Sequence, residues 1–142
     1  MPVDPQSITI PDIPEDIIAK WQGAVDVLAR VVDVPVALVM KLSEPEIEVF
    51  ISSETKGNPY HPGDSEHFDG SGLYCETVIK SRGRLLVPNA LKDKKWCRNP
   101  DIKLGMVAYL GFPILYPDGT PFGTICVLDS DENHFGQWVE RL

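Results

Sequence analysis

The sequence has few of the features that would identify a chemistry at once. Three cysteines (Cys75, Cys97 and Cys126) are an odd number at wide spacing, which favours reduced thiols over a disulfide framework. The longest apolar runs, 34–40 and 106–110, fall far short of the roughly 18 residues that cross a bilayer. The N-terminus carries acids and prolines where a secretory signal would carry basic and apolar residues. We therefore expect a cytoplasmic protein.

Positive charge is also scarce, because 13 Lys and Arg face 21 Asp and Glu for a net charge of −8. This balance excludes a general affinity for nucleic acid or for an anionic membrane. Residues 80–103 nevertheless hold eight of the 13 basic residues and only two acids. Two interpretations stay open: a solvated face balanced by acids elsewhere, or an electropositive rim that attracts an anionic ligand.

The 142 residues suffice for one domain with a full core. Residues 1–13 are predicted to form a flexible arm, and 14–142 a single domain. Pro14 suits the first turn of a helix. A stripe at helical spacing predicts about five turns that end at Pro35, with Ile17, Trp21, Val25, Leu28 and Val32 on the buried side. Strands are predicted over 36–42 and around Ile47, Val49 and Ile51.

The middle of the chain is predicted to be mostly irregular. Residues 55–72 are rich in Gly, Pro, Asp, Asn and Ser, which is typical of an ordered loop. Ser71 is a plausible cap for a helix over 73–80 that Gly83 closes. A short strand over 85–87 precedes a polar segment, 89–105, with one or two helical turns.

The last third predicts a hairpin. Residues 109–115 alternate, 116–119 (YPDG) form a turn, and 123–128 are apolar on both parities. A further helix follows, and we expect it to continue into an output module; its stripe is Phe135, Trp138, Val139 and Leu142. These elements indicate an α+β fold with a central antiparallel sheet of five or six strands.

Four segments resemble the GAF domain pattern: 72–79 (GLYCETVI), 86–90 (LVPNA), 110–114 (LGFPI) and 122–129 (FGTICVLD). The resemblance covers about residues 15–142 and implies terminal helices packed together on one face of the sheet. It also implies a ligand cavity on the other face, roofed by 55–82 and 89–107. Trp96 and 99–105 are similar to GAF domains found N-terminal in bacterial sensor histidine kinases and diguanylate cyclases.

The resemblance implies a non-catalytic sensor in which a small molecule alters the packing of the terminal helices, and these act on an output domain in the same chain. A homodimer through those helices is expected as well. The ligand-binding residues expected from it are Tyr60, His67, Tyr74, Cys75, Trp96, Tyr109 and Asp129. The ligand stays unknown, because the motifs of cyclic-nucleotide-binding and bilin-binding relatives are missing. Any cofactor is unknown as well.

Two alternatives remain. The free methionine-R-sulfoxide reductases resemble the GAF pattern too and use cysteine chemistry; Cys75 at a helix start fits them. Tyr109 and Ile102 stand where those enzymes carry a glutamate and the catalytic cysteine. A ligand-free dimerisation module is the other alternative. Cys75 and Cys126 are expected in the core and Cys97 at the surface.

A metal site is not expected. Acids and two histidines crowd one loop, but they lack the short paired spacing of structural zinc ligands; they are His61, Asp64, Glu66, His67 and Asp69.

Overall fold

A computed structural model describes residues 13–136. Six antiparallel strands form one sheet in the order β3-β2-β1-β6-β5-β4. The strands are β1 (Val36–Ser43), β2 (Glu46–Ser52), β3 (Ser65–His67), β4 (Leu85–Val87), β5 (Ala108–Leu115) and β6 (Pro121–Asp129). Helix α1 (Glu15–Val32) packs on the back face of the sheet and α2 (Tyr74–Ser81) on the front face. The predicted α+β class and the antiparallel sheet of five or six strands are confirmed, and the number of strands is six.

Helix α1 has the predicted five turns but ends before Pro35. Asp33 adopts a left-handed conformation (φ 61°), and its amide and that of Val34 both donate to the Ala29 carbonyl. Both amides therefore cap the same carbonyl, and the left-handed residue ends the helix. The buried stripe runs through Val25 and Ala29 and faces the sheet. None of the helices in the described part of the chain is long and apolar enough to cross a membrane.

Strand β2 departs from strict alternation. Met40 pairs with Val49 and Val39 with Ile51, so Phe50 is an extra residue opposite β1. A bulge of this kind shifts all later side chains to the other face. Ile47 and Val49 accordingly lie in the front core, whereas Ile51 lies in the back core under α1.

The predicted hairpin is β5–β6. The Tyr116 amide donates to the Thr120 carbonyl and the Gly119 amide to the Tyr116 carbonyl, both at 2.8 Å. Gly119 has φ 89°, which explains the glycine at the end of the turn. At Gly123 a Cβ atom would lie 1.7 Å from the Met40 carbonyl oxygen, so only glycine lets β6 approach β1 this closely.

The loop prediction for 55–72 was incomplete, because β3 lies inside it and pairs with Glu46–Glu48 of β2. Helix α2 also differs in its ends: its N-cap residue is Leu73, and Ser71 Oγ accepts from the Leu73 amide instead of capping the helix. Its C-cap is Arg82, in a left-handed conformation, one residue before Gly83. Two 3-10 helices, Ala90–Lys92 and Pro100–Leu104, account for the predicted turns.

Two hydrophobic cores lie on the two faces. Val36, Leu38 and Met40 of β1 belong to the front core, and Ala37 and Val39 to the back core. The sheet is thus buried on both sides. The predicted arm over residues 1–13 and the stripe residues Trp138, Val139 and Leu142 lie almost wholly outside the described residues, as does the expected packing of the two terminal helices.

Candidate functional site

A cavity of about 500 Å³ lies between the front face of the sheet and the loops above it. Met40, Ile47 and Val49 form an apolar floor from β1 and β2. The walls come from the loop before β3, from β3, from the N-cap of α2 and from the second 3-10 helix. They comprise Pro59, Tyr60, Asp64, Ser65, Glu66, Leu73, Pro100, Asp101, Lys103 and Leu104. The walls belong to the segments 55–82 and 89–107, which the GAF resemblance implied as the roof.

One hydrogen bond ties the two walls of this cavity together. Tyr60 Oη donates to Asp101 Oδ1 at 2.7 Å across 41 residues of sequence. Asp101 is held by Asn99, whose side-chain oxygen accepts from the Asp101 amide at 2.9 Å, and by Pro100 at the first position of the 3-10 helix. Tyr60 is held by Asn58, whose side-chain oxygen accepts from the Tyr60 amide at 2.9 Å. Both side chains are therefore oriented by capping interactions of their own loops.

Burial raises the pKa of Asp101 to about 6, although hydrogen bonds from Tyr60 and from the backbone of Tyr74 lower it. The negative charge of Glu66 raises it further. Burial, together with the charge and the hydrogen bond of Asp101, raises the pKa of Tyr60 well above its ordinary value. The Tyr60 hydroxyl thus keeps its proton and acts as donor to a carboxylate that burial disfavours.

Beneath the α2 side of the front face, three aromatic rings form a buried stack. The Tyr74 and Tyr109 rings lie 4.6 Å apart at 23°, and the Trp96 ring is 5.4 Å from that of Tyr74. The Tyr109 ring leans along β5 over Gly111, where a Cβ atom would lie 2.1 Å from Tyr109 Oη. The Tyr74 hydroxyl donates to the Met106 carbonyl at 3.3 Å. These rings therefore contact one another and the core.

Two buried thiols adjoin the stack. Cys75 Sγ lies 3.4 Å from Thr124 Oγ1 and 3.6 Å from Tyr109 Oη, and it also interacts with the thiol of Cys126. The hydrogen bond with Cys126 lowers the pKa of Cys75 against the effect of burial, while the same bond and burial raise the pKa of Cys126. Cys97 is exposed, as expected.

The structure distributes the seven expected ligand-binding residues over several places. Tyr60 lines the cavity. His67 lies at a second depression, of about 560 Å³, near the ends of β1 and β2. Asp129 is the last residue of β6, and its oxygens accept from the Asp131 amide and from the Asn133 side chain in the turn that follows. The remaining four form the stack and thiol cluster outside the cavity lining: Tyr74, Cys75, Trp96 and Tyr109.

Sequence reasoning missed Asp101 and Glu66 as cavity residues. Asp101 stood in the polar segment 89–105 and Glu66 in the loop 55–72, and neither segment has an apolar pattern that would indicate burial. The Asn-Pro-Asp sequence at 99–101 is a usable signal, because Asn followed by Pro starts a helical turn and fixes the direction of the next side chain.

The basic residues of segment 80–103 mostly lie away from the cavity. Only Lys103 lines it. Lys80 contacts Asp69 and Glu76, and Lys92 lies 3.2 Å from Glu132. The side-chain nitrogen of Lys95 is 5.2 Å from the centre of the Trp96 ring. The first interpretation of this charge, basic side chains balanced by acids elsewhere, fits these positions better than an electropositive rim.

Residues 22–138 match the family model described as the GAF domain. The chain belongs to the GAF domain family. The resemblance of segments 72–79, 86–90, 110–114 and 122–129 is thereby confirmed as a family relationship. No curated protein matches this GAF domain.

Solved structures share the fold at low identity. The GAF domain of Acinetobacter phosphoenolpyruvate-protein phosphotransferase is 19% identical, with a TM-score of 0.64 over 84% of this chain and 70% of that one. The type II free methionine-R-sulfoxide reductase of Thermoplasma acidophilum is 13% identical, with a TM-score of 0.63 over 89% and 84%. NreA of Staphylococcus aureus, mutated in its nitrate binding site, is 18% identical, with a TM-score of 0.60 over 81% and 86%.

In this GAF domain the three cysteine thiols do not line the cavity described above. Cys75 of α2 and Cys126 of β6 are buried in the front core, and Cys97 is exposed outside the cavity lining. Among residues 13–136, no three His, Cys, Asp or Glu side chains are grouped so that they would hold a metal ion. The cavity therefore offers three carboxylates, one ammonium group, two hydroxyl groups and an apolar floor.

Proposed function

We propose that this GAF domain is a small-molecule sensor of a bacterial signal-transduction protein in the cytoplasm, such as a sensor histidine kinase or a diguanylate cyclase. The observation that carries the proposal is the cavity, whose apolar floor and two polar walls resemble the usual make-up of a small-molecule site. A fold hosts many functions, so the site and not the GAF fold supports the proposal. The nitrate site named for NreA is a precedent for a ligand on this fold.

The sheet offers a physical route from the cavity to helix α1. Met40 and Val49 face the cavity on the front, while their strand neighbours Val39 and Ile51 face α1 on the back. A ligand that presses on the floor therefore displaces the strands on which α1 rests. Trp21 lies at the contact between α1 and the sheet, because its ring packs edge-on against the ring of Phe50 in the bulge, with 6.2 Å between the ring centres. Movement of α1 relative to the following module, in a homodimer, is the proposed output.

The test blocks the cavity from its rim. Ser65 lines the cavity but is exposed on β3, so Ser65→Trp fills the space and leaves the core side chains in place. Ser130→Trp, at an exposed position outside the cavity lining, is the matched control. A library of small metabolites is screened against the unmodified chain by thermal shift, and hydrogen exchange of α1 is recorded with each stabilising compound.

We expect a compound that raises Tm in the unmodified chain and in Ser130→Trp, fails in Ser65→Trp, and alters exchange in α1. A ligand at a hundred times its Kd adds about 2.7 kcal/mol to the unfolding free energy, which a melting curve resolves readily. Equal stabilisation of Ser65→Trp would place binding elsewhere. Binding without any change in α1 would contradict the proposed route to the output.

A further inference from the structure

The ligand of the proposed sensor cavity carries a positive charge, and we propose that it is a small organic ammonium compound held by Asp101. The inference rests on the proposed function and specifies its ligand class. It departs from the anionic ligand that an electropositive rim would attract, because the charges that surround the cavity are mainly negative. Asp64, Glu66 and Asp101 line it against the single cation Lys103.

The main observation is that Asp101 lacks a countercharge. Its carboxylate accepts from Tyr60, which is neutral, and the ion pairs found within residues 13–136 include neither Asp101 nor Glu66. Glu66 adds a second negative charge near enough to disfavour ionisation of Asp101. A carboxylate removed from water without a cation is unfavourable, and a cation bound beside it removes that penalty.

The other groups at this place are satisfied without a ligand. Asp64 Oδ2 accepts from the His61 amide at 3.0 Å, so that side chain is engaged in its own turn. Lys103 is exposed on the 3-10 helix that carries Asp101. Asp101 is therefore the acid inside the cavity that lacks a countercharge, and Glu66 contributes a further negative charge from the rim.

The shape of the site indicates an organic cation. Asp101 comes from a different segment than Asp64 and Glu66, and the described residues hold no group of three donors placed for a metal ion. Below the carboxylates the floor is made of the apolar side chains of Met40, Ile47 and Val49. A cavity of about 500 Å³ with one charged wall and an apolar floor suits an alkyl body with an ammonium group at one end.

Three probes of nearly equal size isolate the charge: butylammonium chloride, butan-1-ol and sodium butyrate, titrated at matched ionic strength into the isotope-labelled chain. Amide chemical shifts of Tyr60, Glu66 and Asp101 are followed. We expect saturable shifts with butylammonium, weaker shifts with butanol and none with butyrate. Asp101→Asn should weaken butylammonium binding at least about tenfold, since a hydrogen bond to a charged group contributes about 1.5–3 kcal/mol.

A control variant separates the charge inside the cavity from the net charge of the chain. Asp131→Asn removes an equal charge from an exposed turn and should leave butylammonium binding unchanged. The comparison of the three probes needs no variant, so it stands even where Asp101→Asn does not fold.

Butyrate or butanol binding as tightly as butylammonium would overturn the ammonium proposal and leave the sensor function standing. An absence of saturable shifts with butylammonium would overturn it too. The sensor function itself fails by a different result, namely stabilising compounds that bind Ser65→Trp and Ser130→Trp equally.

Discussion

Replacement of Asp101 by asparagine should make the protein more stable at neutral pH. Asparagine keeps an oxygen that accepts from Tyr60 Oη but carries no charge that burial penalises. The pKa of Asp101 rises from the ordinary 3.8 to about 6 in the folded protein. A carboxyl whose folded pKa is raised stabilises the fold fully below 3.8, and this contribution is lost as pH rises through about 6.

The magnitude follows from the same shift. Two pKa units correspond to about 3 kcal/mol, and because Asp101 keeps some solvent exposure we expect about 2 kcal/mol. Urea unfolding of the native chain and of Asp101→Asn across this pH range gives the difference in unfolding free energy. That difference should move by about 2 kcal/mol in favour of Asp101→Asn as pH rises. Asp131→Asn corrects for the loss of one negative charge at an exposed position.

The control also guards against a general charge effect, because the chain is acidic and any lost carboxylate reduces self-repulsion. A difference that stays constant with pH would refute the reasoning, as it would show that Asp101 titrates alike in both states. A difference that moves the other way would show that Asp101 is stabilised as an anion, and the argument for a missing countercharge would fail with it.

Three further perturbations test the fold. Gly123→Ala should destabilise the protein by more than about 4 kcal/mol, because the added Cβ atom meets the Met40 carbonyl. Gly23→Ala lies in open space on α1 and should instead stabilise the protein by up to about 1 kcal/mol. Urea unfolding of the two variants compares these free energies. Trp21→Ala should cost about 3 kcal/mol through lost contacts with neighbouring rings, and a near-zero cost would contradict the packing of α1. Partial burial raises the pKa of Glu76, but hydrogen bonds from Lys80 and from two backbone amides lower this pKa overall. The stability that Glu76 adds is therefore present at neutral pH and lost in acid. The Tm deficit of Glu76→Gln should therefore shrink as pH falls, and a constant deficit would argue against these bonds.

Elements with a strong local signal were predictable from the sequence. Helix α1 repeats apolar residues at helical spacing, and the β5–β6 hairpin has a turn whose Pro and Gly have known conformational preferences. Strand β3 carries three exposed polar residues, so nothing local distinguishes it from a loop. Its pairing depends on backbone bonds of neighbouring segments, such as that of the Gly63 amide to the Val49 carbonyl.

The segments that surround the cavity were predictable from the sequence, but the residues that line it were not. Tyr74 and Tyr109 were expected to face a ligand because of the GAF resemblance, yet they stack on each other within the core. Asp101 acquires its role only through Tyr60, a partner 41 residues away that no local pattern indicates. A contact between residues so far apart in sequence is set by the tertiary fold, so the hydrogen bond between Asp101 and Tyr60 could be identified only from the arrangement of the loops.

The strand order has a mechanical consequence. The first and last strands of the described sheet, β1 and β6, are central neighbours, and Val36 at the start of β1 pairs with Leu128 near the end of β6. A force that pulls α1 away from the segment after Asp129 is applied at the same end of both strands. It loads their hydrogen bonds one at a time, as in unzipping, rather than all together as in shear. The pair should therefore yield at low force from the Val36–Leu128 end, and the edge strands should stay paired with their neighbours while it opens.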